Sequence, residues 1–109
     1  MAPKLSPLLV SFVAAKNSHD SKAFGACFAS DAVVHDEARD HKGRPAIKVW
    51  FAEVSKKYRD TIQPTKVVTR GAKTVLTALG SGDFPGSPFE FFYHLTIVGG
   101  KITALCIKA

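Results

Sequence analysis

The side chains best suited to chemistry gather between His35 and His41, where Asp36, Glu37 and Asp40 stand beside two histidines. Such donors invite a metal ion. However, the run A-V-V-H-D-E from Ala32 to Glu37 has the β-branched, two-residue alternation of a strand, which sends His35 and Asp36 to opposite faces. No cysteine or histidine pair stands at a zinc spacing either, so neither a metal nor another cofactor is expected. What remains is a carboxylate, Asp36, on the same face as Ala32 and Val34. Facing an apolar cavity, it would have its charged form disfavoured and its pKa raised; in water at a strand end it would only cap a turn. Tyr93 and His94 form a second polar pair, inside the aromatic run from Phe89 to Val98. The chain has no phosphate-cradling glycine loop and no Gly-x-Ser-x-Gly elbow, which leaves nucleotide and acyl-transfer chemistry without support.

The elements that must position these residues follow from caps and periodicity. Ser6 and Pro7 suit the start of a helix running to about Lys16, with Leu5, Leu8, Leu9, Phe12 and Val13 on one face. Asp20 caps a second, showing Ala23, Phe24, Cys27 and Phe28 and ending near Ser30. After the strand and a polar connection through Asp40, His41 and Gly43, a third helix opens at Pro45. Its apolar stripe is Ile47, Trp50, Phe51, Val54 and Tyr58, and Glu53 and Lys57 are spaced to pair on the exposed side. Four β-like runs close the chain: Gln63 to Thr69, Thr74 to Leu79, Phe89 to Val98, and Lys101 to Lys108. Gly99-Gly100 suits a hairpin turn, and Gly80 to Pro88 is a longer glycine- and proline-rich loop, a candidate pocket rim. The order ααβαββββ predicts one α+β domain over residues 1–109, with three helices packed on a strongly curved antiparallel sheet. Helices can cover only one side of it, so the outer sheet face is expected to meet a second copy in a homodimer.

Composition agrees with a single packed domain: 109 residues, 46% hydrophobic and 22% charged. The net charge is +6, but ten Lys/Arg face seven Asp/Glu up to Gln63 and five face two beyond it, so the excess is spread out and nucleic acid is not the expected partner. Cys27 and Cys106 lie among apolar neighbours and read as reduced core residues. The apolar residues from Leu8 to Ala15 keep helical spacing and are not read as a secretion signal, and no apolar run approaches the length of a membrane span. A cytoplasmic protein with no membrane partner is expected.

The stretch from Asn17 to Ile47, N-S-H-D-S-K-A-F-G-A-C-F-A-S-D-A-V-V-H-D-E followed by H-K-G-R-P-A-I, resembles the SnoaL-like and ketosteroid-isomerase-like families of the nuclear transport factor 2 superfamily. The aromatic strand, the G-K-I turn and the last strand, Phe89 to Ile102 and beyond, extend the resemblance over nearly the whole chain. It implies a cone-shaped α+β barrel whose open end admits a small molecule, commonly in a homodimer. Chemistry does not follow from the fold, because isomerases, cyclases, dehydratases, ligand binders and transport adaptors share it.

Asp36 matches the general-base aspartate of the ketosteroid-isomerase-like members, which takes a proton α to a carbonyl. The partners that stabilise the enolate in those isomerases are largely missing: Phe12, Phe28 and Phe51 stand where tyrosines would supply hydroxyls. Tyr93 falls on or beside the remaining donor position, with His94 as its neighbour if the register shifts by one; alternatively Tyr93 is a core residue. Three readings result. The first is an isomerase or cyclase using Asp36 and Tyr93 in a pocket for a small hydrophobic molecule, lined by Phe12, Phe28, Trp50, Phe51 and Phe91. The second is a non-catalytic ligand-binding or protein-association module. The third, and weakest, is nucleic-acid association through net charge.

Overall fold

The computed structural model describes residues 3–109. Helix α1 (Pro7–Ser18) starts where Ser6 Oγ accepts from the Leu9 amide at 3.3 Å, and it ends at His19 in the left-handed region. Helix α2 (Ser21–Ala26) is capped by Asp20, whose side chain accepts from the Ala23 amide at 3.0 Å. It is shorter than its periodicity predicts. Strand β1 (Phe28–Asp36) takes over at Phe28, which pairs with Ile102, and the Ile102 amide donates to the Cys27 carbonyl at 2.9 Å. Long-range pairing here overrides a local helical pattern.

Asp36 leads into a tight reversal in which both Glu37 (φ 53°) and Ala38 (φ 61°) have positive φ, the pattern of a type I′ hairpin turn. The segment returns as a four-residue strand, β2 (Arg39–Lys42), paired antiparallel to β1. Helix α3 (Arg44–Tyr58) follows, burying Ile47, Trp50 and Phe51. Its Lys57 lies over the Tyr58 ring at 4.9 Å instead of pairing with Glu53. Strands β3 (Thr61–Arg70), β4 (Lys73–Ser81), β5 (Phe89–Val98) and β6 (Lys101–Lys108) complete one six-stranded sheet of order β2-β1-β6-β5-β4-β3. Gly99 and Gly100, with φ 60° and 76°, make the β5–β6 turn.

The architecture is the expected α+β one, three helices on a curved sheet, with one refinement. Neighbouring strands are antiparallel except β1 and β6, which run parallel, so the sheet is mixed. Register shifts interrupt β1/β6, β3/β4 and β5/β6, and such bulges bend the strands. The inward face holds Phe12, Phe24, Phe28, Phe51, Ile47, Leu76, Leu95, Ile102 and Leu105, all essentially without solvent contact. Phe24 and Phe51 stack at 3.9 Å between ring centroids and join α2 to α3. Cys27 belongs to this core, whereas Cys106 is half-buried and, as the register partner of His35 and His94, lies on the outer face. The two thiols are free. Among the described residues no helix is long and apolar enough to cross a membrane.

Candidate functional site

The end of β1, the inward face of α3 and the middle of β5 enclose a partly open cavity of about 270 Å³. Period-two alternation points Ala32, Val34 and Asp36 inward, so the last inward position of β1 places its carboxylate in the cavity wall. Helix α3 contributes Trp50, Phe51, Val54 and Tyr58, and β5 contributes Phe91 and Tyr93. Phe84 and Pro85 from the β4–β5 loop, with Ile107 from β6, complete the apolar surface. That loop is anchored by the Asp83 amide, which donates to the Tyr58 carbonyl at 2.7 Å.

Asp36 is half-buried, and its pKa is raised first by burial and then by the neighbouring Glu37 charge. The Trp50 indole and the Glu37 backbone amide partly oppose that rise. Glu37 is steadied by the Tyr58 hydroxyl, which donates to its Oε1 at 3.0 Å and ties the end of α3 to the β1–β2 turn. Tyr93 is nearly buried, packed edge-on to Phe12 with ring centroids 6.0 Å apart. Burial, then the charges of Asp60 and Asp36, lift its pKa well above the ordinary phenol value. Its hydroxyl therefore stays protonated at any physiological pH, as a hydrogen-bond donor. A carboxylate biased towards basicity and a permanently protonated phenol thus border one aromatic-walled space, the minimal equipment for moving a proton next to a carbonyl.

Of the residues singled out from sequence, Asp36, Tyr93, Trp50, Phe51 and Phe91 come together here. Three do not. Phe12 and Phe28 are fully buried behind the wall, in contact with Phe24, and are corrected to core residues. His94 alternates away from Tyr93 onto the outer sheet face, opposite Val75 and Cys106, and is corrected to a residue outside the site. His35 also faces outward, its Nδ1 2.6 Å from Asp40 Oδ1 across the β1–β2 ladder. Among the described residues no three His, Cys, Asp or Glu side chains are grouped to hold a metal.

Sequence reasoning missed Lys16 and Asp60. Their side chains also line the cavity and meet at 2.7 Å between Nζ and Oδ2. For Lys16 a signal existed: Leu9, Phe12 and Lys16 follow the three- and four-residue spacing of a buried stripe. Asp60 lies just beyond α3, where no periodicity points inward.

A family model for the SnoaL-like domain matches residues 9–105. A polyketide cyclase candidate from Sinorhizobium meliloti is 35% identical, with 95% of each chain covered and a TM-score of 0.91. A ketosteroid-isomerase-like protein from Catenulispora acidiphila, solved in complex with trimethylamine, is 22% identical over 97% of this chain and 87% of that one, TM-score 0.86. A ketosteroid isomerase candidate from Kribbella flavida is 14% identical over 92% and 73%, TM-score 0.78. No curated protein matches the chain. With the family model spanning residues 9–105 and a relative 35% identical over 95% of the chain, the chain belongs to the SnoaL-like family.

Proposed function

We propose that this protein moves a proton on a small hydrophobic carbonyl compound, in an isomerisation or cyclisation, with Asp36 as base and the Tyr93 hydroxyl as donor to the oxygen. The observation that carries the reading is their shared cavity: both side chains border one space whose wall includes Trp50, Phe51, Phe84 and Phe91. The likeness to a polyketide cyclase candidate supports it. A volume of about 270 Å³ lies at the small end of ligand sites and favours a one- or two-ring molecule over a four-ring steroid. The test is deuterium exchange from heavy water into 2-tetralone, a bicyclic enolisable ketone. Asp36→Asn is expected to slow exchange by about 10²- to 10⁴-fold while ketone affinity, read from Trp50 fluorescence, stays within a few-fold. Unchanged exchange in that variant would remove Asp36 from the role.

A second reading, ligand binding without turnover, has its own support. Asp36, Glu37 and Asp60 outnumber the one lysine in the lining, among aromatic faces that attract cations; a neighbour of the same fold holds trimethylamine. Amine binding with no exchange into any ketone would favour this reading. For either activity we propose a cytoplasmic homodimer joined through the outer sheet face. Phe92, Val75 and Cys106 are half-buried there, and all three helices lie on the opposite side.

A further inference from the structure

The Lys16–Asp60 pair is not explained by the needs of the fold. Lys16 is only 6% exposed, its Nζ 5.7 Å from the centre of the Phe51 ring, and Asp60 Oδ2 accepts one of its three N–H donors. No protein acceptor takes the other two among the described residues, and Asp60 Oδ1 is buried with no donor of its own. Buried ion pairs stabilise only when their remaining hydrogen bonds are made; incomplete ones are often matched or bettered by apolar side chains of similar volume. Nor is the pair needed to fasten α1 to β3. The next residue already does so: Asn17 Nδ2 donates to the Ile62 carbonyl at 2.9 Å, and Asn17 Oδ1 accepts from the Ile62 amide at 2.7 Å. An under-coordinated ammonium therefore borders the same cavity as Asp36 and Tyr93, on the helix that carries Phe12 one turn earlier.

We infer that Lys16 is the second donor to the substrate oxygen, held in place by its contact with Asp60. The inference rests on the carbonyl-substrate reading above. The carbonyl oxygen accepts from the Tyr93 hydroxyl and from a free N–H of Lys16. Asp36 removes the α proton, the C–H pair becomes the C=C bond of the enolate, and negative charge grows on the oxygen between the two donors. The carboxylic acid then returns the proton to the same or a conjugated carbon, while Lys16 and Tyr93 keep theirs. Lys16 thus supplies the second donor that Phe12, Phe28 and Phe51, lacking hydroxyls, cannot. The titratable groups that share the cavity with it are Asp36 from β1, Glu37 from the β1–β2 turn, Tyr58 from α3, Asp60, and Tyr93 from β5.

The experiment uses 4-nitrophenol, an oxyanion mimic whose absorbance reports its ionisation, bound to the whole protein. Lys16→Met alone would strand the Asp60 charge, so the comparison variant is Lys16→Met with Asp60→Asn. The expected result is an apparent pKa of the bound probe higher by about one unit or more in the double variant than in the wild type. Asp60→Asn alone moves it the opposite way, because it removes a negative charge and leaves the ammonium. Ketone exchange in the double variant falls about 10²- to 10³-fold with little change in KM. Equal probe pKa values in wild type and double variant, or no probe binding to either, overturn the role of Lys16. Exchange that still depends on Asp36 then leaves the Asp36–Tyr93 reading standing. Probe shifts of opposite sign without any exchange would instead uphold Lys16 as an oxygen-binding group and discard the proton transfer.

Discussion

At Asp36, the proposed activity and stability pull in opposite directions along the pH axis. Burial disfavours its charge in the native state but not in the unfolded chain, so the native state holds the proton more tightly. Stability from this group is greatest below the ordinary aspartate pKa and declines as pH rises through the raised native value. The proposed proton transfer needs the ionised base and is expected to climb over the same interval. The acid limb of kcat/KM is therefore expected above the range of exposed carboxylates, and a limb at the ordinary value would mean the carboxylate is fully hydrated. Asp36→Asn should flatten that limb and raise the melting temperature at neutral pH, by the equivalent of about 0.5–1 kcal/mol. Tyr93→Phe removes a donor without changing the packing against Phe12 and is expected to cost about 10²- to 10³-fold in kcat, with stability little altered. Asp36 was legible beforehand because its type and its face can both be read from a six-residue alternation. Lys16 was passed over because a lysine at the end of an apolar stripe ordinarily snorkels to water, and only the fold shows the stripe meeting Asp60.

Elements differed in how openly they announced themselves. Ser6-Pro7 and the Ile47-Trp50-Phe51 spacing mark α1 and α3, because caps and periodicity are local properties. Strand β2 was invisible: Arg39-Asp40-His41-Lys42 is wholly polar, and its strand character comes from pairing with β1. The end of α2 is hidden in the sequence for the same reason, since Phe28 and Ala29 continue an apolar helical pattern while Phe28 pairs with Ile102 of β6. The turn joining β1 to β2 holds two non-glycine residues at positive φ, each costing about 1–2 kcal/mol. Ala38→Gly is therefore expected to raise the unfolding free energy by about 1 kcal/mol in a urea titration, while Glu37 keeps its bond from Tyr58. In β4, Gly80 leaves space for the Phe91 ring. A Cβ there would come within 2.8 Å of it, so Gly80→Ala should push the ring into the cavity and weaken ligand binding more than it weakens the fold.

For the molecule as a whole, the outer sheet face is the surface on which assembly turns. The proposed homodimer makes a specific demand on Phe92, which alternates away from the site-bearing Tyr93. Phe92→Lys is expected to convert a sedimenting dimer into a monomer with unchanged far-ultraviolet circular dichroism. A wild type that sediments as a monomer at micromolar concentration would dispose of the dimer, though not of the site.

The placing of β6 has a consequence for how the domain comes into being. It sits between β1 and β5 and, within the sheet, is the strand that joins the β1–β2 hairpin to the β3–β5 meander. The strands bearing Asp36 and Tyr93 are therefore expected to become one sheet during synthesis only once residues 101–108 are available to pair. The two partners of the proposed reaction thus share a sheet only through this closing segment, and its removal should leave two unjoined, exposed sheet edges prone to association.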